Sequence, residues 1–242
     1  MRIKITLFGL LICIGLSAQN EKRTDIQFDF GTTISIPYKR TVETMIEVEG
    51  HPETHYKPGF GYFIEVLLTY NFNSKFGLQS GLNFNQNQLK TTDKIGLRES
   101  KGTLNKTYIN LPILIRYKIA ESSSFTFSGG AYIGILINAN QNGVSIIDTA
   151  NMVLGQENDP AFFESKFDYD DNIKTNFLDY DIGLSLQCDF EFSLGKNYLG
   201  IVFTRFNYGL IDVKSNDNYA GTRITMQKWK NIGIMLGVGL KI

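Results

Sequence analysis

Cysteine, histidine and proline are all scarce in this chain of 242 residues, at two, two and five. One cysteine, Cys13, lies in an N-terminal segment that reads as a leader, which leaves Cys188 alone. A single cysteine closes no intramolecular disulfide, so the fold does not rest on a disulfide framework. Beyond the leader there is no second long apolar run. The longest candidate, residues 129–137, is far short of the ~20 residues that a membrane-spanning helix needs. A helical membrane protein is thereby excluded. Neither sign of charge dominates, with 24 basic and 24 acidic residues, so nucleic acid is not an implied partner. What the chain has in quantity is glycine (23), phenylalanine (18) and tyrosine (12). That mixture suits strands bordered by turns better than it suits helices.

The leader has the parts of a secretory signal peptide. Arg2 and Lys4 supply a positive start, residues 5–16 an apolar stretch, and Ser17 and Ala18 the small residues of a cleavage site. Cleavage is expected after Ala18, although Leu16 is bulkier than such sites prefer. Ile12 is too bulky to precede a lipid-carrying Cys13, so a lipoprotein is not expected. The domain reading is therefore a signal peptide at 1–18 and one β-domain at 19–242. Losing Arg2 and Lys4 leaves 22 basic residues against 24 acidic.

From there the pattern has period two. In 108–119 one face carries Ile109, Leu111, Ile113, Ile115, Tyr117 and Ile119, and the other Asn110, Pro112, Leu114, Arg116 and Lys118. In 177–192 the apolar face is Tyr180, Ile182, Leu184, Leu186, Cys188, Phe190 and Phe192. Its opposite face holds Asp179, Asp181, Gly183, Ser185, Gln187, Asp189 and Glu191. A helix would scatter these residues around its circumference, whereas a strand sorts them onto two faces.

Eight strands result, at about 25–38, 57–72, 76–91, 105–119, 124–139, 175–192, 197–213 and 228–242, with ends uncertain by ~2–4 residues. In the second, Phe63 and Leu67 fall on the polar face; in the seventh, the pattern fades near Arg205. Connections alternate long and short: 39–56, 92–104, 140–174 and 214–227 are long, while 73–75, 120–123 and 193–196 are short. Long loops at one end and short turns at the other are the asymmetry of outer-membrane barrels. The fold class expected is an all-β, eight-stranded antiparallel up-and-down transmembrane β-barrel of OmpX- or OmpA-like architecture. Both termini would then lie on the periplasmic side, with outer-membrane lipid as the surrounding partner.

Alternation alone does not say which face points outward, since a soluble ligand-binding barrel in the periplasm also alternates. Three features favour the membrane. The polar faces are rich in small uncharged residues, as in Gly77, Gln79, Gly81, Asn83, Asn85 and Asn87, which suit a narrow lumen. Several strands exceed the usual ~5–6 residues. Aromatic rings flank every short turn: Tyr70, Phe72 and Phe76; Tyr117, Phe125 and Phe127; Phe190, Phe192 and Tyr198. Rings at one height form an interfacial girdle.

Residues 108–117, Tyr-Ile-Asn-Leu-Pro-Ile-Leu-Ile-Arg-Tyr, resemble the strand-four segment of the PorT-like outer-membrane β-barrel family of Bacteroidota. Residues 129–134 and 181–184 resemble that family's next two recurrent segments, in the same order. Two departures stand out: Asn110 where an acidic residue is common, and an ending in Lys241-Ile242 without a terminal aromatic ring. The resemblance implies a barrel without an assigned active site. A component of an envelope secretion or assembly complex is a further alternative.

Few constellations invite chemistry. His51-Pro-Glu-Thr-His55 offers two imidazoles and a carboxylate, yet Pro52 and a loop setting argue for a plain polar loop. The same two histidines are the only candidates for a rim enzyme, and no partner motif accompanies them. Asp168, Asp170, Asn172 and Asp179 partly match a calcium loop, but Ile173 replaces its turn glycine. Asp148-Thr149-Ala150 matches a short O-glycosylation pattern. Glu65, Arg116, Lys118, Asp179, Asp181, Asp189, Glu191 and Arg205 are assigned to the lumen as a polar plug, because buried charges must be paired. No catalytic, cofactor-binding or metal-binding residue is assigned, no cofactor is expected, and a protein partner would meet the long loops. The expected role is non-enzymatic, structural or surface-interacting, in a barrel that is not a general pore.

Overall fold

The computed structural model describes residues 24–41, 53–95, 98–120, 122–148, 164–195, 198–213 and 227–242. The strands are β1 (Thr24–Thr41), β2 (Glu53–Asn71), β3 (Phe76–Ile95), β4 (Arg98–Lys118), β5 (Phe125–Asp148), β6 (Glu164–Asn172), β7 (Tyr180–Ser193), β8 (Leu199–Gly209) and β9 (Gln227–Lys241). One 3-10 turn, Lys174–Asn176, precedes β7. Each strand is antiparallel to its neighbours. The ring runs β1-β2-β3-β4-β5-β7-β8-β9 and closes where β9 pairs with β1, from Gln27 opposite Lys241 onward. The eight-stranded transmembrane architecture expected from period two is present.

β6 stands outside that ring. It pairs with the far half of β5, Asn140 opposite Asn172 through Asp148 opposite Glu164. Two further expectations are corrected with it. Residues 92–104, read as a loop, lie almost wholly within β3 and β4, paired from Thr92 opposite Lys101 to Ile95 opposite Arg98. The strand expected from residue 175 begins at Tyr180. For residues 92–104 the reason is physical: beyond the membrane the outward face of a strand meets water, so apolar–polar alternation fades while backbone pairing continues.

Outward side chains mark the band that meets lipid. On β4 Ile109, Ile113, Ile115 and Tyr117 are exposed, and on β7 so are Tyr180, Ile182, Leu184, Leu186, Phe190 and Phe192. The apolar face therefore points out and the polar face in, the reverse of a soluble barrel. On β3 the outward apolar residues end at Phe84, followed by Gln86, Gln88 and Lys90; on β4 they end at Ile109, followed by Thr107, Asn105 and Thr103. A bulge at this level shifts the β4–β5 register between Thr107 and Tyr108, so Leu136 and Ala139 of β5 both turn inward.

The aromatic girdle at the short-turn end is built of ring pairs. Tyr70 and Phe72 pack at 5.6 Å between centroids, Phe76 and Tyr117 at 5.0 Å, and Phe125 and Phe190 at 5.2 Å. The first turn is tight because the Asn73 side chain accepts hydrogen bonds from the backbone N–H of Lys75 (2.9 Å) and Phe76 (2.8 Å).

Candidate functional site

The interior is the most constrained part of the molecule, and it is layered. Nearest the short turns, Arg116 (β4) pairs with Glu191 (β7), and the Lys241 ammonium (β9) lies 3.2 Å from Glu191 and 3.0 Å from Asp25. These groups border an opening of about 460 Å³ that Lys118, half-buried, also lines.

At mid-barrel Arg205 (β8) donates two hydrogen bonds to the Glu65 carboxylate (β2), at 2.7 and 2.8 Å, in the fork geometry that suits guanidinium and carboxylate. Both side chains are buried, Arg205 at 2% and Glu65 at 1% exposure. Asn83 donates to the same carboxylate at 3.0 Å, and Asn110 donates to Asn83. Gln187 donates to Asp189, and Gln27 to Asp29. Lipid offers no hydrogen-bond partner, so a network of this kind has to close within the lumen.

Apolar groups pack beside this network. Phe63 and Phe203 pack at 5.7 Å with Ile201 and Met235, all buried. Gly237 makes the room: a methyl group there would sit 2.6–2.7 Å from both rings. Phe63 and Leu67 thus belong inside, and the fading pattern near Arg205 has the same origin. β8 keeps period two, with Ile201, Phe203 and Arg205 inward, but two of its inward residues are apolar.

Toward the end away from the short turns Tyr132 donates to Asp181 (3.0 Å), and the Asn231 amide serves both Asp181 (2.9 Å) and Tyr108 (3.1 Å). Lys106 donates to Asn231. A cavity of about 20 Å³ remains here, room for about one water. Above it sits a second apolar cluster: Leu89, Leu104, Tyr108, Leu136 and Ala139 from the strands, with Phe177 and Val213 from the connections. The connection is stitched down by backbone bonds, Ile173 N–H to the Ala139 carbonyl (2.9 Å) and Leu178 N–H to the Val213 carbonyl (2.8 Å). Lys106 lies 5.4 Å from the centre of the Phe177 ring.

Of the eight charges assigned to the lumen, Glu65, Arg116, Asp181, Asp189, Glu191 and Arg205 are buried there. Asp179 is not: it is exposed, with Lys174 3.9 Å away, because β7 starts only at Tyr180. Lys106, Asp29 and Lys241 were missed. Each has the parity of the polar face: Lys241 shares its face with Gly233, Met235, Gly237 and Gly239 on the last strand, yet none of the three is among the eight charges assigned to the lumen.

The chemistry-bearing motifs do not assemble. His51 lies outside the described residues and His55 is exposed on β2. Asp168, Asp170 and Asn172 are in the straight strand β6 and Asp179 is beyond it, so they do not wrap a cation as a calcium loop does. Among the described residues no group of three His, Cys, Asp or Glu side chains is placed to hold a metal ion. Residues 149 and 150 of the Asp-Thr-Ala motif lie outside the described residues.

Comparison with known proteins places these features among relatives. A family model described as an outer membrane protein beta-barrel domain matches residues 17–215. None of the curated proteins matches the sequence significantly. Among solved structures, the outer membrane protein OprG from Pseudomonas aeruginosa is similar at 15% identity and a TM-score of 0.45, covering 93% of this chain and 98% of its own. Neisserial surface protein A is similar at 13% identity and a TM-score of 0.39, covering 91% and 97%. Ail, the attachment invasion locus protein of Yersinia pestis, solved with a heparin analogue, is similar at 12% identity and a TM-score of 0.34, covering 91% and 99%.

Proposed function

The chain belongs to the outer membrane protein β-barrel domain family, and from that premise we propose a closed, non-conducting barrel that works through the strands it projects outward. One observation supports this reading above others: two buried layers cross the lumen, the Arg205–Glu65 fork at mid-barrel and the apolar cluster around Phe177 toward the long connections. Eight strands enclose just enough space for side chains to fill. An open pore would require both layers to be displaced.

Residues 1–18 act as a cleaved signal peptide, the long connections face outside, and both termini face the periplasm. The long–short alternation of the connections supports this orientation. The role is non-enzymatic: His55 is exposed on β2, and no nucleophile motif accompanies the two histidines in the sequence. The narrower PorT-like affinity rests on residues 108–117. Their Asn110 enters the Glu65 network through Asn83, a packing role that fits a shared barrel pattern. An envelope or extracellular protein is the partner class the projecting strands would meet.

Single-channel recording tests the reading. Purified protein in planar bilayers is expected to give no stable open level. A steady, reproducible conductance of porin size would show that the lumen opens and would overturn it.

A further inference from the structure

We propose that the outward face of β2–β4 just beyond the apolar band is a docking site for the phosphorylated sugar headgroup of an outer-leaflet glycolipid. Three exposed lysines converge there. Lys57 (β2) lies directly opposite Lys90 (β3), and Lys101 (β4) lies opposite Thr92, the next outward residue of β3. Like charges placed directly opposite each other repel and destabilise a ladder; an anion between them removes that cost. Lys57 and Lys90 have no carboxylate partner among the described residues, and the one partner of Lys101 is the surface carboxylate of Glu99 at 2.9 Å. Exposed pairs of that kind are weak and yield readily to a stronger anion.

The lysines border an open groove of about 710 Å³, with the Thr92 and Thr103 hydroxyls and the Asn142 amide beside them. This combination of cations, hydroxyls and an amide is the chemistry that binds a phosphorylated sugar. The cationic part ends on one side at β6, where Asp168 and Asp170 face the same way opposite Val144 and Asn142.

Position selects the lipid. The groove continues the lipid-facing surface: Lys57, Lys90 and Lys101 follow Phe60, Phe84 and Ile109, the last outward apolar residues of their strands. At ~3.3 Å per residue and a tilt of ~40°, steps of three, six and eight residues place Lys57, Lys90 and Lys101 about 8, 15 and 20 Å beyond those apolar residues. A phospholipid headgroup layer is only about 5–8 Å deep, so its phosphates come level with Lys57 at most and lie below Lys90 and Lys101. The taller sugar headgroup of a glycolipid reaches them.

The inference rests on the outward orientation proposed above, and the experiment keeps the two apart. Full-length protein in nanodiscs is titrated with purified rough lipopolysaccharide, with the same glycolipid stripped of phosphate, and with phosphatidylglycerol. Lys57→Gln, Lys90→Gln and Lys101→Gln are each expected to weaken lipopolysaccharide binding by about fivefold. Lys75→Gln, at the opposite end, is expected to leave it unchanged. Binding that ignores the three substitutions, or that survives removal of phosphate, overturns the docking site; equal dependence with phosphatidylglycerol overturns the choice of glycolipid. Orientation is read separately on intact cells, with a membrane-impermeant maleimide on Asp170→Cys in a Cys188→Ser background. Labelling with lost lipopolysaccharide binding sinks the docking site alone. Binding without labelling sinks the outward orientation.

Discussion

Residues 109–117 and 98–107 form one continuous strand, β4, yet they follow different rules. In the first stretch the outward residues are Ile109, Leu111, Ile113, Ile115 and Tyr117, while Asn110, Pro112, Leu114 and Arg116 are buried in the lumen. In the second, Glu99, Lys101, Thr103, Asn105 and Thr107 face outward and only Ser100, Leu104 and Lys106 are buried. The same contrast divides the molecule. β7, β8 and β9 run 14, 11 and 15 residues, close to the ~9–11 that a tilted crossing needs. β3, β4 and β5 run 20, 21 and 24, and the surplus lies beyond the band. Within the band the solvent offers no hydrogen bonds, so every outward residue and every inward polar group is constrained at once. Beyond it water satisfies the outward face and only part of the inward face is buried, so the backbone pairing carries more of the order.

That contrast orders the effects of substitution. The largest is expected inside the band. Glu65→Gln leaves the Arg205 guanidinium buried without its anion and should cost about 3–5 kcal/mol, measured by urea titration of the folded, gel-shifted form. Leu184→Arg, on the lipid face of β7, should cost about 2–4 kcal/mol in the same assay. A result near zero would mean that β7 does not face hydrocarbon there. Gly237→Ala presses a methyl group against Phe63 and Phe203 and should cost about 1–3 kcal/mol; a neutral result would show the lumen to be looser than its packing indicates. The smallest effect is expected from Asn142→Arg, outward on β5 but beyond the band, at no more than about 0.5 kcal/mol. If it matched Leu184→Arg, the boundary would be misplaced.

The part legible in the sequence was the part the membrane constrains. Period two located the eight ring strands and sorted Ile109–Tyr117 and Tyr180–Phe192 correctly, because lipid on one side and a packed lumen on the other leave little choice. The extension was illegible for the converse reason: residues 92–103 are mostly polar on both faces, and 164–172 carry only Phe167 and Tyr169 among polar residues, which reads as loop. Phe63, Leu67, Ile201 and Phe203 misled in a third way. Period two reports polarity, whereas an eight-stranded lumen also needs volume, and rings supply it. Six lumen charges were assigned correctly from parity alone. The expected pairing of acids on the 175–192 strand with bases such as Arg116 on the 105–119 strand is met by Arg116 and Glu191. The pairing of Arg205 with Glu65 was not foreseen. Arg205 and Glu65 are 140 positions apart and meet only because the sheet closes on itself.

The division along β4 can be measured directly. Single cysteines at outward positions 115, 113, 109, 105, 103 and 101, in a Cys188→Ser background, would carry a fluorophore in bilayers containing lipids brominated along the acyl chain. Strong quenching is expected at 109, 113 and 115 and little at 101, 103 and 105, with the change falling near Thr107. Quenching that ran undiminished to residue 101, or that was absent at 113 and 115, would contradict the placement of the band and with it the account of the barrel.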